Sequence, residues 1–347
     1  MDKQKRRYVR KFFERTNKKP EEVFDFIKER EKVIRERYSE TSNLISHEYV
    51  SMILRDAIFI MELLLRNFER AKDKLLRVPA DKLALKLDLV LLENQLPYFL
   101  LEEICKSIVS SPSFTEICLK FFGSLFFDRR IQADRRTGFK HFTDLLRRAL
   151  VRRLPNDESG SEIIEDDEDL PPLPCATKLD ESGVKFTGFS SRHLLDVNFD
   201  GGELRMPQLL VNHQTETLLR NIMALEQCLY PRDPVVCDYV KLLDSLIEEE
   251  RDAQLLVDTG IISNSIGDSK ALASLFNKLG AEIPLSSSIY DKACKDMKDF
   301  SQNKYNRNKA KLQRVYFGDI WKGTATIAAS LFLILTFLQT ITSLKQL

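Results

Sequence analysis

Apolar residues recur at helical spacing through the first 150 positions. Val23, Phe24, Phe26, Ile27, Val33, Ile34 and Tyr38 form a stripe with charges between them, and Pro20 followed by Glu21 and Glu22 predicts a helix start. Residues 49–66 are apolar nearly all round, broken only by Arg55, Asp56 and Glu62, which predicts a central helix covered on several sides. In the block from Leu83 to Ile104, Pro97 removes a backbone donor and biases Leu96 away from helical dihedrals. One helix is therefore predicted to stop near Asn94 and another to begin at Pro97. Residues 139–154 predict an amphipathic helix, with Phe139, Phe142, Leu146 and Leu150 on one side and Arg147, Arg148, Arg152 and Arg153 elsewhere. A docked helix with a solvated basic face is the preferred reading, ahead of binding to a membrane surface or a partner.

The pattern then changes twice. Residues 156–174 hold eight acids and no base and end in prolines, the composition of a weakly ordered surface loop that can lie against the arginines before it. Beyond it, Val184 and Phe186, then Leu195, Val197 and Phe199, then Leu204 and Met206 alternate with polar residues, and Asp200, Gly201 and Gly202 supply a hairpin turn. A small antiparallel sheet is expected. Helical periodicity resumes after Asn212, a predicted N-cap, and runs through 235–248, to a helix ended by Gly260, another over 268–279 capped by Asp268 or Ser269, and a charged helix from Tyr290 to Phe317. No repeat of fixed period is present.

The last pattern is the most extreme. Residues 324–344 carry no charge over 21 positions, a helical length of about 31 Å, close to a bilayer's hydrocarbon core. Trp321 and Lys322 before it and Lys345 after it have the character of interfacial anchors. The competing reading is a buried C-terminal helix, since Thr324, Thr326, Ser330, Thr336, Gln339, Thr340 and Thr342 dilute the run. The expected fold class is thus mainly α with a small antiparallel β insert, α+β by strict count, followed by a C-terminal transmembrane helix. The expected segments are 1–155, the acidic loop 156–174, 175–317 and the span 324–344. Lys304, Arg307, Lys309, Lys311, Arg314 and Lys322 outnumber Lys345 across that span, so the expected location is a single-pass tail anchor in a membrane, with the large part cytosolic. The bilayer is then the first expected partner.

Composition narrows function mainly by exclusion. The chain has 347 residues, 43% apolar and 30% charged, with 53 Lys and Arg against 52 Asp and Glu, so it is globular in character and has no whole-chain pull toward nucleic acid. A mean hydropathy of −0.26 excludes a polytopic membrane protein. The opening MDKQKRRYVRKFF lacks the apolar core of a secretory signal. Cys105, Cys118, Cys175, Cys228, Cys237 and Cys294 form no metal-ligand spacing with one another or with His47, His141, His193 and His213, so reduced thiols are expected, with no metal and no cofactor.

Two phrases carry a resemblance: LLENQLPYFLLEEI from Leu91 to Ile104 and LLRNIMALEQCLY from Leu218 to Tyr230. With AIFIMELL, ATKLDESGVKF, LLDVNF, ELRMPQLLVN, YVKLLDSLI, DAQLLVDTGIISNSIG, LFNKL and LTFLQT in the same order, the chain resembles, over nearly its whole length, the plant family named domain of unknown function 247. Two departures stand out. A further N-terminal stretch with a glycine-proline-tyrosine-histidine motif is absent, suggesting a shortened product, and Ala57 and Ile58 stand where relatives carry glycine and cysteine. The resemblance implies a plant protein, predominantly helical, with one C-terminal span and no established enzymatic activity; some relatives are implicated in self-incompatibility and in sex determination, which implies recognition or signalling.

The candidate chemistry lies in those phrases: Glu93, Asn94 and Gln95 in one, and Arg220, Asn221, Glu226 and Gln227 in the other. Set in apolar surroundings, such groups require partners, because an unpaired buried polar group costs about 1–3 kcal/mol. The favoured reading is a structural polar network, with Asn and Gln capping helix ends and Arg220 paired to Glu216 or Glu226. The alternative is an enzyme of unknown class, with Glu93 or Glu226 as base and Arg220 as anion binder. The expected function is therefore membrane-anchored interaction, recognition or signalling. Its protein partner is unspecified, a family homo- or hetero-oligomer among the candidates, and nucleic acid is not expected because few aromatics interleave with the basic runs.

Overall fold

The computed structural model of the chain describes residues 2–40, 42–125, 138–151, 172–191, 193–284, 288–317 and 320–344. Helices dominate. In chain order they are α1 (Asp2–Thr16), α2 (Pro20–Glu29), α3 (Glu31–Arg35), α4 (Ser46–Phe68), α5 (Lys74–Arg77), α6 (Pro79–Asp88), α7 (Tyr98–Lys106), α8 (Phe114–Phe122) and α9 (Phe142–Leu150). There follow α10 (Ala176–Glu181), β1 (Lys185–Phe189), β2 (Asn198–Asp200), β3 (Glu203–Pro207), β4 (Leu209–Val211), α11 (Thr215–Leu229), α12 (Val235–Leu246), α13 (Glu250–Asp258), β5 (Ile262–Asn264), α14 (Ser269–Gly280), α15 (Asp291–Gln302), α16 (Lys304–Phe317) and α17 (Ile320–Leu344).

The chain forms two compact units. One comprises residues 1–158, 192–195 and 209–237; the other comprises 159–191, 196–208 and 238–347.

The first unit is organised on α4, whose Ile53, Ala57, Ile58, Met61 and Leu64 are buried, as expected for a helix apolar on nearly every side. Tyr8 and Phe12, four apart on α1, pack onto it. The polar interruption at Glu62 is buried and receives Arg66 and Arg15, the latter at 2.9 Å. The Tyr8 hydroxyl donates to Asp73 at 2.6 Å while Asp73 also holds Arg66 at 2.7 Å, so the end of α4 is tied to the first turn of α5. Pro20 opens α2 and Pro97 caps α7 as the sequence predicts. The preceding helix ends earlier than Asn94. α6 closes at Asp88, and a 3-10 turn over Leu92–Asn94 follows, because Gln95 Nε2 takes the carbonyls of Leu89 and Leu91 that a longer helix would have used.

In the second unit the hairpin forms where Asp200, Gly201 and Gly202 place it, with both glycines in the left-handed region. The sheet is mixed rather than antiparallel. β2 pairs antiparallel with β3, but β1 lies on the other edge of β3 and runs parallel, Phe186 opposite Leu204. Alternation of side chains fixes which face is buried and leaves strand direction to the connection, so the pattern could not distinguish the two. Gly188 is required by close approach: a Cβ there would collide with the Gly260 carbonyl. Gly260 ends α13 at φ 75° and Asp268 caps α14, both as predicted. The expected single helix over 290–317 is divided at Asn303, whose side chain accepts from the Tyr305 amide and opens a new helix.

The C-terminal transmembrane helix is not supported. The 324–344 run is helical, as part of α17, but among the described residues no helix is long and apolar enough to cross a membrane. Ser330, Thr336 and Thr340 interrupt that stretch, each turning its hydroxyl onto the carbonyl one turn back. Trp321 and Lys322 lie in the first turn of α17, and Lys345 falls outside the described residues.

Candidate functional site

The two family phrases converge in the first unit, where the N-cap region of the 3-10 turn meets α11. Asn221 accepts the Leu92 amide at 2.8 Å and donates to the Thr217 carbonyl at 2.8 Å. Gln95 bridges further: its Nε2 holds the Leu89 and Leu91 carbonyls, and its Oε1 accepts the Phe142 amide at 3.1 Å at the start of α9. Asn94 donates to the Asp88 carbonyl at 3.1 Å. These amides stitch backbone ends together.

Glu226 is the centre of the buried chemistry. It is 0% exposed, and both its oxygens are engaged. Oε1 accepts Arg147 Nε at 2.7 Å; Oε2 accepts the backbone amides of Val236 and Cys237, each at 2.9 Å. Those amides belong to the first turn of α12, so the carboxylate satisfies orphan donors and meets the positive end of the helix. Burial pushes the Glu226 carboxyl above its ordinary range, against the opposing pull of the Cys237 amide and Arg147.

Arg147, 4% exposed, extends the network. Its Nη2 donates to the Asp233 carbonyl and approaches the Asp233 carboxylate at 3.3 Å, while the guanidinium stacks 4.0 Å over the Tyr230 ring. Tyr230 in turn donates to Asp144 Oδ1 at 2.7 Å, and Asp144 accepts the Lys140 amide at 2.8 Å and Arg148 Nε at 3.3 Å. Burial raises the Tyr230 hydroxyl, and Asp144 adds to that rise. α9 is consequently buried on more than its apolar stripe, and Arg147 lies on the inner side instead of the solvated basic face expected for it.

The remaining predicted residues lie elsewhere. Glu93 is exposed, Gln227 is exposed, and Arg220 pairs with Glu216 at 3.1 Å one turn back. Glu226 and Arg220 are six positions apart on α11 and so point to different faces, one sealed and one partly in solvent. Glu93, Glu226 and Arg220 therefore do not assemble an acid/base site. Sequence reasoning missed Asp144, Arg147, Tyr230 and Asp233 as members of the network. The Asp144/Arg148 spacing of four residues and the tyrosine closing the second phrase were available as signals, but neither identifies the partner. Among the described residues, no group of three or more His, Cys, Asp or Glu is placed to hold a metal ion.

Fold and site together define a mainly helical protein with small sheets, whose first unit holds a buried polar network around Glu226 and Arg147. The chain belongs to the DUF247 family, described as "Plant protein of unknown function", which its residues 1–335 match. It is similar to the Arabidopsis thaliana "UPF0481 protein At3g47200", 24% identical over 365 residues that cover 96% of this chain and 76% of that protein. It is also similar to "Putative UPF0481 protein At3g02645" of the same plant, 27% identical over 170 residues, 48% of this chain and 32% of that protein. Thus the match spans about a third of the second relative. No solved structure matches the chain.

Proposed function

We propose that this protein acts through interaction, as a recognition or signalling component, rather than by turning over a substrate. One observation carries the reading: the buried acid of the family phrases, Glu226, has both oxygens consumed by Arg147 and two backbone amides, so it has no lone pair left facing a substrate. The other acid, Glu93, is exposed on a 3-10 turn. A general acid or base needs reach to a reacting proton within a site that positions the substrate; Glu226 is sealed from one, and Glu93 stands apart from both Glu226 and Arg220.

The test is proximity labelling of the intact protein in plant cells, with a scrambled-surface variant as control. A reproducible set of protein neighbours is the expected result. Detection of a turnover that is abolished by Glu226→Gln in a protein that keeps its wild-type melting temperature would refute it.

A further inference from the structure

Among the described residues, the exposed apolar side chains of the second unit are concentrated on α17. Ile327, Leu331, Ile334, Leu338 and Ile341 follow one another at steps of four, three, four and three residues. That spacing places all five on one stripe of the helix, about 21 Å long. Each is between 37% and 56% exposed, so the stripe is not packed into the core. Residue type alternates along it, with isoleucine at 327, 334 and 341 and leucine at 331 and 338. Leu335 and Phe337 flank the stripe on either side and are 61% and 67% exposed. From Thr324 to Leu344 the helix carries no charged residue.

We propose that α17 is a self-association element, packing in parallel against the same helix of two or three further copies of this chain. The alternating steps of four and three are those at which helices interlock knobs into holes. A stripe of this kind is complementary to itself, because parallel copies in register set isoleucine against isoleucine and leucine against leucine in successive layers. In heptad terms the leucines fall at a and the isoleucines at d, the combination that favours three or four strands over two. The flanking positions agree. Two-stranded coils keep charged residues there, facing water, whereas Leu335 and Phe337 would stay wet in a pair and are covered in a larger bundle. Other occupants fit the helix less well. No described helix is long and apolar enough to cross a membrane, and the stretch from Thr324 to Leu344 has no charged face with which to lie along a membrane surface. This association is separate from the recognition proposed above and stands whether or not a second protein binds.

The test is sedimentation of the full chain in detergent-free buffer. The expected result is a discrete species of three or four 40.2 kDa chains, reduced to a single chain in Leu331→Asp/Leu338→Asp, which puts charge into both leucine layers. In that variant the buried thiols Cys105, Cys118, Cys175 and Cys237 should stay unreactive to maleimide, which shows that the rest of the chain is folded. A second measurement does not depend on the aspartates. With the exposed Cys228 changed to serine, Ile334→Cys should cross-link between copies under air and copper-phenanthroline, while Thr336→Cys, on the side of the helix away from the stripe, should not. A wild-type monomer or dimer, a monomer that floats with phosphatidylcholine vesicles, or a continuous series of sizes would overturn the proposal. So would an assembly that survives Leu331→Asp/Leu338→Asp, or equal cross-linking at 334 and 336.

Discussion

Replacing Arg147 with methionine isolates the cation of the sealed junction. The long apolar stem and the contact with Tyr230 are largely retained, while Glu226 loses its charged partner and keeps the Val236 and Cys237 amides. Both members of the pair are buried, so breaking it leaves a carboxylate in low dielectric; the expected loss is about 3–5 kcal/mol. Glu226→Gln should lose a similar amount, because its amide nitrogen must face either Arg147 or the backbone donors of α12. The double variant Arg147→Met/Glu226→Gln removes both charges, and its loss should fall well below the sum of the singles, with a coupling energy of about 2 kcal/mol or more. Denaturant unfolding followed by far-ultraviolet circular dichroism measures all three. A further signature is the pH response of Arg147→Met: its defect should shrink on acidification, since protonating the carboxyl discharges the stranded group. A loss below about 1 kcal/mol for Arg147→Met, or additive singles to within about 0.5 kcal/mol, would refute the view that this pair locks α9 to the start of α12.

Four other expectations follow from separate parts of the molecule. Burial pushes the Asp252 carboxyl up, but the Thr177 hydroxyl and the amides of Thr177 and Glu249 outweigh it and hold it below its usual value; Asp73 is likewise held low by Tyr8, Leu75 and Arg66 against its burial. Folded pKa values depressed in this way contribute stability that is present above the unfolded value of about 3.9 and lost as pH falls through the folded values. Melting curves should therefore decline below about pH 4, and Asp252→Asn should flatten that decline; parallel curves for variant and wild type would be the contrary result. Gly188→Ala should lose about 1–3 kcal/mol in thermal unfolding, because its Cβ meets the rigid Gly260 carbonyl, whereas Gly201→Ala, with open space around it, should lose only about 1 kcal/mol for its left-handed backbone. Asn221→Ala orphans the Leu92 amide and should lower stability by about 1–2 kcal/mol, read by the same melts, with Asn221→Asp restoring part of it. Maleimide labelling of the native protein should modify Cys228, the exposed thiol, well before Cys105, Cys118, Cys175 and Cys237, which are buried; burial also pushes the Cys105 thiol up to about 11.

Much of the local structure was legible because it is set by contacts within a few residues. Pro20 and Pro97 begin helices, Asp268 caps one, Gly260 ends another, and Gly201 and Gly202 turn a hairpin, each through dihedral limits or a single hydrogen bond. The apolar periodicity of 49–66 placed the central helix α4 for the same reason. The uncharged run near the C terminus determined a helix, yet its length, lack of charge and flanking Trp321, Lys322 and Lys345 led to a transmembrane reading that is not supported, since among the described residues no helix is long and apolar enough to cross a membrane.

The site divides along the same line. That the phrases around Glu93 and Glu226 hold polar groups needing partners follows from composition, since apolar neighbours imply burial and burial demands hydrogen bonds. Which groups are buried, and which partners they find, is decided by contacts across 79 positions between Arg147 and Glu226 and across 129 between Leu92 and Asn221. Helical spacing reports a face but not what lies opposite it. Sequence alone thus established a helical family member with an internal polar requirement. The fold then chose Arg147 over Arg220 as the partner of Glu226, left Glu93 in solvent, and set β1 parallel to β3, because pairing between distant segments depends on how the chain returns and not on any local propensity.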